Sequence, residues 1–298
     1  MNNGNMLLAA PEFWVLIMAC VILIVDLFLS KERRGIIHML AMLTLVFAAI
    51  ITARGDYGTG GLASETAFNG SFIRDSMGDV LKLFSYLILG LVYIYSKFCL
   101  RQFRMLRAHF YTLSLCALLG VMLLISANSL VTIYLGLELI SLSSYALVAY
   151  DRDSKMGSEA AMKYFVLGSM ASGMLLYGMS MIYGATGTLD LQQIAAAVSE
   201  LGSDNYLLIF GLVFLVVGLA FKLGVVPFHM WIPDVYEGAP PAVVLFISSV
   251  PKLAAFAMAY RFLSSGLGEL HIHWEGMLAS LAILSIILGN LAAIMQTN

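Results

Sequence analysis

Three ionisable side chains lie inside long apolar stretches of the chain. Glu138 lies in SLVTIYLGLELISLSSYALVAY, Lys252 in VVLFISSVPKLAAFAMAY, and Lys222 at the start of FKLGVVPFHMWIPDVYEGAPP. A charge at the centre of a membrane helix costs roughly 2.5–3.5 kcal/mol on insertion scales, so such residues usually serve ion or proton movement. A buried lysine keeps its proton beside a carboxylate, and separation from that carboxylate favours the neutral amine. Glu138 and Lys222 therefore predict a proton path.

Each of these residues also has a purely structural interpretation. Glu138 could be permanently protonated or fixed in a packing salt bridge, and Lys252 could pack as a neutral amine. Lys222 lies near the end of its apolar run and could extend its ammonium to the interface. Pro251 cannot donate to the carbonyl of Ile247, so we expect a free acceptor, and a hinge, beside the Lys252 ammonium.

Gly224 and Pro227 interrupt the apolar run that contains Lys222. Non-helical backbone at membrane depth is tolerated only where protein or a water-filled cavity surrounds it. The two residues therefore predict a hinge in a broken helix. His229 follows the break and could relay protons or bind a backbone carbonyl. Lys163 begins another span and could reach the interface or contribute to the charge asymmetry of the loops.

Composition indicates an integral membrane protein. Hydrophobic residues make up 61% of the 298 residues and charged residues only 11%, against roughly 45–50% and about 25% in soluble domains. Strict alternation typical of a membrane barrel is absent, so we expect an all-α polytopic bundle. Spans of about 20 residues are expected at 11–30, 36–53, 78–97, 108–126, 128–149, 160–184, 206–226, 241–264 and 275–296.

Basic residues are distributed unevenly between the two sides of this topology. One side carries Lys31, Arg33, Arg34, Lys97, Arg101, Arg104, Arg107, Arg152, Lys155 and Lys163, and the other carries only Arg54, Arg74, Lys82 and Arg261. The richer side is predicted to be cytoplasmic, which places the N-terminus outside and the Gly224–Pro227 break on the cytoplasmic side.

The remaining polar features carry weaker signals. Arg54–Met77 reads as an exposed loop, and Ala185–Asn205 as a weakly amphipathic segment along the interface. The net charge of −2 argues against nucleic acid as a partner. We expect no metal site at His271 and His273, because no third ligand is in view. Cys20, Cys99 and Cys116 have no metal or redox spacing and are expected to be small apolar fillers.

Long motifs give the chain a family resemblance. They are PEFWVLIMACVILIVDLFL, LELISLSSYALVAY, SEAAMKYFVLGS, FKLGVVPFHMWIPDVYEGAP and SVPKLAAFA. The chain resembles the antiporter-like membrane subunits shared by bacterial proton-pumping NADH:quinone oxidoreductase (respiratory complex I) and multisubunit cation/proton antiporters. Its LELISLSSYALVAY form is similar to the N subunits of the oxidoreductase, and the resemblance covers essentially the whole chain.

The resemblance implies roles for particular residues and partners. It implies that Glu138, Lys222, Lys252, Lys163 and His229 form a proton half-channel and part of a charged axis. It also implies an inner-membrane location beside neighbouring antiporter-like and small membrane subunits. This chain is expected to bind no cofactor, whereas NADH, FMN, iron–sulfur clusters and quinone are expected in partner subunits.

Length is the departure from the family pattern. The family fold has fourteen helices with two inverted five-helix repeats, so we expect three segments here: 1–107, a three-helix segment; 108–264, the first repeat; and 265–298, the first helix of an incomplete second repeat. The chain thus reads as truncated after its ninth helix, without the exit half-channel. Rival hypotheses are a cation/proton antiporter subunit, a structural or assembly module, and a small-solute transporter, which no cavity signature supports.

Overall fold

A computed structural model describes residues 3–29, 35–54, 64–102, 108–151 and 153–296 of the chain. Apart from one small hairpin, the regular structure of these residues is helical. The elements are α1 (Asn3–Leu8), α2 (Ala10–Phe28), α3 (Gly35–Ala53), β1 (Glu65–Ala67), β2 (Phe72–Arg74), α4 (Ser76–Gln102), α5 (Ala108–Ile125), α6 (Leu130–Val148), α7 (Lys155–Thr186), α8 (Leu191–Leu201), α9 (Tyr206–Leu223), α10 (Trp231–Gly238), α11 (Pro241–Ile247), α12 (Val250–Ala259) and α13 (His271–Met295).

Membrane spans account for most of the helical structure. Within the described ranges, 9 helical segments are long and apolar enough to cross a bilayer. Each coincides with an expected span, which confirms a multi-pass, all-α transmembrane bundle. The helix α7 differs in length: it has 32 residues and is longer at both ends than the expected 160–184. The Ser154 hydroxyl accepts from the Gly157 amide and begins α7 early, because a serine cap satisfies a free amide of the first turn.

The centre of the bundle is the α5–α6 pair. In Ala108–Ile125, 67% of the residues are buried, whereas α13 has no buried residue. Helices α2 and α12 pack against α5, while α7 packs against α6 and α9. The α6 helix, which carries Glu138, is therefore held between α5 and α7.

Glycines bring the backbones of neighbouring helices into contact at two crossings. A Cβ added to Gly120 of α5 would lie 2.7 Å from the carbonyl oxygen of Gly136 on α6. A Cβ added to Gly178 of α7 would lie 2.7 Å from the carbonyl oxygen of Gly211 on α9. Small residues permit such approaches in membranes, so α5–α6 and α7–α9 are two tightly crossed pairs.

Two of the predicted spans are interrupted. The helix α9 ends at Leu223, and Gly224 follows with a left-handed φ of 74°, a conformation that favours glycine. This confirms the break predicted at that glycine. A second interruption at Ser248–Ser249 separates α11 from α12, and Pro251 lies in the first turn of α12.

The end of α12 also departs from regular α-helix. A π-helical turn, Tyr260–Gly266, follows α12 directly, and a short 3₁₀ turn, Gly268–Leu270, leads into α13. The ten residues of α12 are thus bounded by irregular backbone at both ends.

The second strand of the hairpin β1–β2 is buried, whereas in β1 only Ala67 is buried. Its strands pair antiparallel with Thr66 opposite Ile73, and all three residues of β2 are buried. The Ile73 amide donates to the Ser126 carbonyl (2.8 Å), and the Asn128 amide donates to the Ser71 carbonyl (3.1 Å). The prediction of an exposed loop over Arg54–Met77 is wrong for β2, because the α5–α6 connection forms hydrogen bonds with the backbone of β2 and of Ser71. Residues 55–63 lie outside the described ranges.

An arginine ties this hairpin region to the end of the split helix. The two terminal nitrogens of Arg261 contact the two carboxylate oxygens of Asp75 at 2.8 and 2.9 Å. Arg261 also donates twice to the carbonyl of Ile125, the last residue of α5. The side chain is only 4% exposed. This bidentate pair therefore fixes the π-helical turn against the ends of α4 and α5.

The predicted amphipathic segment is the helix α8. Asp190 accepts from the amides of Gln192 and Gln193 at its start, and the buried side chains are those of Leu191, Ile194 and Val198. Their spacing forms one helical stripe, which confirms the amphipathic pattern. The stripe packs against the π-helical turn.

The predicted orientation depends partly on residues outside the described ranges. These are Lys31, Arg33, Arg34, Arg104, Arg107 and Arg152. The sidedness of the bundle remains a prediction.

Candidate functional site

The carbonyl groups at the end of α9 form the framework of the site. The last four carbonyls of a helix have no partner within it. Here the Ala220 carbonyl accepts from the amides of Gly224 and Val225, and the Phe221 carbonyl accepts from the Gly224 amide. The Phe221 carbonyl also accepts from the indole nitrogen of Trp231 at 3.1 Å. Two carbonyls, those of Lys222 and Leu223, are left for other donors.

Lys252 supplies those donors from α12. Its ammonium donates to the carbonyls of Lys222 (3.0 Å) and Leu223 (2.8 Å), and it lies 5.1 Å from the centroid of the Trp231 ring. A cation is favoured at a helix C-terminus, where the carbonyl dipoles point outward, and over an indole face. Lys252 is thus stabilised as a cation by backbone and ring dipoles. The Ile247 carbonyl, expected as a free acceptor beside the Lys252 ammonium, does not bind it. The ammonium binds the two carbonyls of α9 instead.

Lys222 extends from the same helix end toward α6. Its ammonium donates to the Ser141 hydroxyl at 2.7 Å, and that hydroxyl in turn donates to the Leu137 carbonyl at 2.6 Å. Ser141 lies three residues after Glu138, hence one helical turn further on the same face. The structure therefore places a serine hydroxyl between the predicted lysine and its predicted carboxylate partner.

Glu138 is close to this lysine without pairing to it. The charges of Glu138 and Lys252 both act on the Lys222 ammonium, the first attractive and the second repulsive. The Oε1 atom of Glu138 is buried with no hydrogen-bond partner among the described residues. A buried carboxylate oxygen without a donor is costly, so this oxygen of Glu138 is open to a further hydrogen-bond donor.

A small cavity joins the two lysines. Its volume is about 20 Å³, and Ser141, Tyr164, Lys222, Trp231 and Lys252 are among its lining residues. About 10–15 Å³ of such space is enough for one water molecule when polar partners are present. One water in this cavity would connect the Lys222 and Lys252 ammonium groups for proton exchange.

Lys163 lies apart from this cluster. Its ammonium is 2.8 Å from Glu159 on the same helix and 3.2 Å from Asp234 on α10, and 43% of its side chain is exposed. Trp231 at the start of α10 also stacks on Tyr164, with ring centroids 4.7 Å apart. Lys163 therefore contacts α10, the helix that carries the Trp231 ring of the cluster.

His229 is likewise separate, in the turn between α9 and α10. Its Nδ1 is buried without a hydrogen-bond partner among the described residues, and its carbonyl accepts from the Ile232 amide at 2.9 Å. On α10, burial raises the pKa of the Tyr236 phenol, which stays neutral at physiological pH. His229 does not line the cavity between the lysines.

Sequence reasoning missed three residues of this site. The Ser141 hydroxyl binds Lys222, and the Trp231 indole binds the end of α9. Asp234 pairs with Lys163. A signal for Ser141 was its spacing of three residues from Glu138. For Trp231 and Asp234 it was their position directly after the predicted break.

Comparison with known proteins places the chain in a family. The family model described as "NADH:quinone oxidoreductase/Mrp antiporter, TM" matches residues 127–298, which is more than half of the chain. The chain belongs to this family. The matched region includes the α9 break, both buried lysines and Glu138.

Curated relatives in this NADH:quinone oxidoreductase/Mrp antiporter family are NADH-quinone oxidoreductase N subunits. The chain is 52% identical over 290 residues to that subunit from Azoarcus sp. (strain BH72), covering 97% of this chain and 58% of the relative. It is 52% identical over 292 residues to that of Thioalkalivibrio sulfidiphilus (strain HL-EbGR7), covering 97% and 59%. The chain thus spans less than two thirds of the length of these relatives.

Solved structures of the same architecture come from respiratory complexes. A chain of respiratory complex I from Thermus thermophilus with bound aureothin has a TM-score of 0.76 at 32% identity, covering 96% of this chain and 58% of that one. A chain of the archaeal membrane-bound sulfane sulfur reductase has a TM-score of 0.81 at 24% identity, covering 98% and 60%. The second similarity concerns the fold alone.

Proposed function

We propose that this chain belongs to a membrane subunit of a bacterial NADH:quinone oxidoreductase and moves protons when quinone is reduced. The observation that carries the proposal is the continuous set of contacts across the α9 break: Lys252 on the α9 carbonyls, Lys222 on Ser141, and Glu138 one turn away. The identity to N subunits supports the choice of complex.

The chemistry proposed for this site is transfer of a proton between two lysines. Lys222 holds its proton while the negative charge of Glu138 acts on it, and burial favours the neutral amine once that charge is neutralised or withdrawn. The released proton passes through the cavity to Lys252, whose cation the α9 carbonyls stabilise. Mutual repulsion of the two ammonium groups opposes simultaneous loading of both lysines.

The surrounding assignments follow from the same proposal. The subunit lies in the bacterial inner membrane with its N-terminus outside, beside other antiporter-like and small membrane subunits. NADH, FMN, iron–sulfur clusters and quinone are bound by partner subunits. Residues 1–107 form an N-terminal three-helix segment, 108–264 the proton-conducting five-helix repeat, and 265–298 the first helix of a second repeat.

The test uses the assembled complex in inverted membrane vesicles of the source bacterium. The variants are Lys222→Ala, Lys252→Ala and Glu138→Gln, with Lys155→Ala, an exposed lysine of α7, as the matched control. We expect the three site variants to lose most NADH-driven proton uptake while the complex still assembles, and the control to pump normally.

The same vesicles separate the rival functions. Sodium-driven proton exchange without NADH, lost in the same variants, would identify an antiporter subunit instead. Normal pumping in all three variants would leave only a structural or assembly role, and the proposal would be wrong.

A further inference from the structure

A buried ion pair lies at the end of the bundle opposite to the α9 break. The Lys82 ammonium on α4 is 2.6 Å from Oε1 of Glu12 on α2, and the two side chains are 1% and 5% exposed. Both residues lie near the starts of their helices, whereas Lys222 lies in the last turn of α9. The alternation of the spans therefore places this pair at the membrane face opposite the α9 break.

The pair is incompletely satisfied. Beyond the lysine, no hydrogen-bond donor among the described residues reaches either carboxylate oxygen of Glu12. A buried ion pair offsets the loss of hydration only when further hydrogen bonds satisfy its remaining groups. This pair lacks them on the carboxylate side, so both oxygens of Glu12 are open to a further hydrogen-bond donor.

Most hydrogen-bonding atoms of the neighbouring titratable groups are paired with other residues, although the Nη1 atom of Arg74 has no partner among the described residues. Tyr86, one turn beyond Lys82, shares a hydrogen bond with the Thr52 hydroxyl at 3.3 Å. Arg74 on β2 donates to Asp79 at 3.1 Å and to the Thr52 carbonyl at 2.9 Å. Asp75 likewise pairs with Arg261. The α5 and α6 residues that line the adjoining cavity are Leu119, Leu123 and Thr132, none of which titrates.

A cavity connects Glu12 to the protein surface. It has a volume of about 280 Å³, and Glu12, Ser71 and Thr132 are its polar lining residues. Its lining comes from the start of α2, the turn of the hairpin, the end of α5 and the start of α6, which all lie at this face of the membrane, and Phe13 and Leu16 at its edge are 38% and 43% exposed. Its volume far exceeds the roughly 10–15 Å³ needed for one water.

The pair also contacts the segment that leads to Glu138. The Lys82 ammonium lies 5.2 Å from the centroid of the Phe72 ring on β2. The next residue of β2, Ile73, bonds the Ser126 carbonyl just before α6. A change of charge at Lys82 and Glu12 therefore acts on a strand that is hydrogen-bonded to the connection between α5 and the Glu138 helix.

We propose that Glu12 and Lys82 form a second proton-binding site, which exchanges protons with water on its own face of the membrane through this cavity. One proton from that water binds a carboxylate oxygen of Glu12 to give the acid beside the Lys82 ammonium. Its release to the same water restores the ion pair. The inference extends the proposed function by giving the subunit a titratable site on the face opposite Lys222.

The deciding experiment replaces both members by apolar side chains of similar size. The double variant Glu12→Met/Lys82→Met is expected to assemble, because exchanging a whole buried ion pair for packed apolar groups is often neutral or stabilising. If the pair binds protons, NADH-driven pumping is lost in the assembled complex. If the pair only packs α2 against α4, pumping equals that of the wild type and the inference is overturned.

Infrared titration gives a readout that does not depend on the double variant. The intact complex is expected to show a carboxylic acid band that titrates with the pH on the Glu12 face. Glu12→Gln should remove this band, Glu12→Asp should shift it, and Asp79→Asn should leave it unchanged. A titration identical in Glu12→Gln and in the wild type would overturn the inference.

Lys222→Ala separates this inference from the proposed function. Normal pumping in Lys222→Ala would mean that the proposed function itself is wrong. Loss of pumping in Lys222→Ala together with wild-type pumping in Glu12→Met/Lys82→Met would overturn only the second site.

Discussion

The Lys252 ammonium donates to the backbone carbonyl of Lys222 at 3.0 Å, while the Lys222 ammonium points away and donates to Ser141. The two lysines are thus joined through the end of one helix and not through a shared carboxylate. Any rearrangement of the last turn of α9 changes the surroundings of both ammonium groups together. This relationship makes the residues around that turn the most informative targets for mutation.

Ser141→Ala should reduce proton pumping. The change removes the acceptor of the Lys222 ammonium, and hydrogen bonds to charged groups contribute about 1.5–3 kcal/mol. Its loss favours the neutral amine, so fewer Lys222 side chains carry the proton to be transferred. Pumping by inverted vesicles at fixed NADH oxidation rate measures the effect.

Ser172→Ala is the matched control for that experiment. Ser172 is 5% exposed, and its hydroxyl has no hydrogen-bond partner among the described residues. Its removal should leave pumping unchanged. Equal pumping in the two variants would rule out a role for the Ser141 hydroxyl.

Gly224→Ala should destabilise the α9 break and displace Lys252. The residue has a φ of 74°, and a Cβ there would collide with Ile232 and lie 3.4 Å from the Lys252 ammonium. The left-handed conformation alone costs an ordinary residue about 1–2 kcal/mol. We expect lower thermal stability of the complex and reduced pumping, measured in the same preparation.

Gly187→Ala separates backbone strain from collision. Gly187 also ends a helix, with a φ of 72°, yet nothing lies within 4 Å of an added Cβ. Gly187→Ala should lower stability only by the cost of the left-handed conformation, and pumping should be unchanged. Ile232→Ala in the Gly224→Ala background should restore part of the loss, and a failure to do so would mean that the collision with Ile232 is not the cause.

Asp234→Asn tests whether Lys163 acts through α10. Lys163 bridges Glu159 and Asp234, and α10 carries the Trp231 ring that covers the Lys252 ammonium. If the bridge positions α10, Asp234→Asn and Lys163→Met should reduce pumping alike, whereas Glu159→Gln should have little effect. A loss in Lys163→Met alone would instead indicate that Lys163 itself carries protons.

Arg261→Met should impair folding of the complex more than pumping per assembled complex. Removing one partner of a buried ion pair costs about 3–5 kcal/mol, and here the Ile125 carbonyl loses its Arg261 donors as well. Arg261→Lys keeps the charge but loses the planar pair of donors that matches both Asp75 oxygens. Its effect should lie between those of the wild type and Arg261→Met. The amount of complex in the membrane and its melting temperature report the effect.

The amino-acid sequence predicts the bundle well because the signals concerned are local. Runs of apolar residues define the spans, and a glycine beside a lysine marks the break after Leu223. The burial of β2 was not predictable in this way, since it depends on hydrogen bonds to Ser126 and Asn128, which lie far away in the sequence.

The partners of the buried charges were only partly predictable for the same reason. Glu138 and Lys222 stand out as charges in apolar runs, and the structure brings them close. That Ser141 separates them, and that Lys252 binds α9 carbonyls, depends on how α6, α9 and α12 pack together. Glu12 is also an acid in an apolar run, but its pairing with Lys82 depends on how α2 and α4 pack together.

The irregular backbone on both sides of α12 has a mechanical consequence. The glycine crossings pack α6 closely on α5 and α9 closely on α7, so Glu138 and the Lys222 backbone belong to tightly crossed helix pairs. The ten-residue α12, in contrast, is preceded by the interruption at Ser248–Ser249 and followed by the π-helical turn. A rotation of α12 about its own axis would withdraw Lys252 from the α9 carbonyls and disconnect the two lysines.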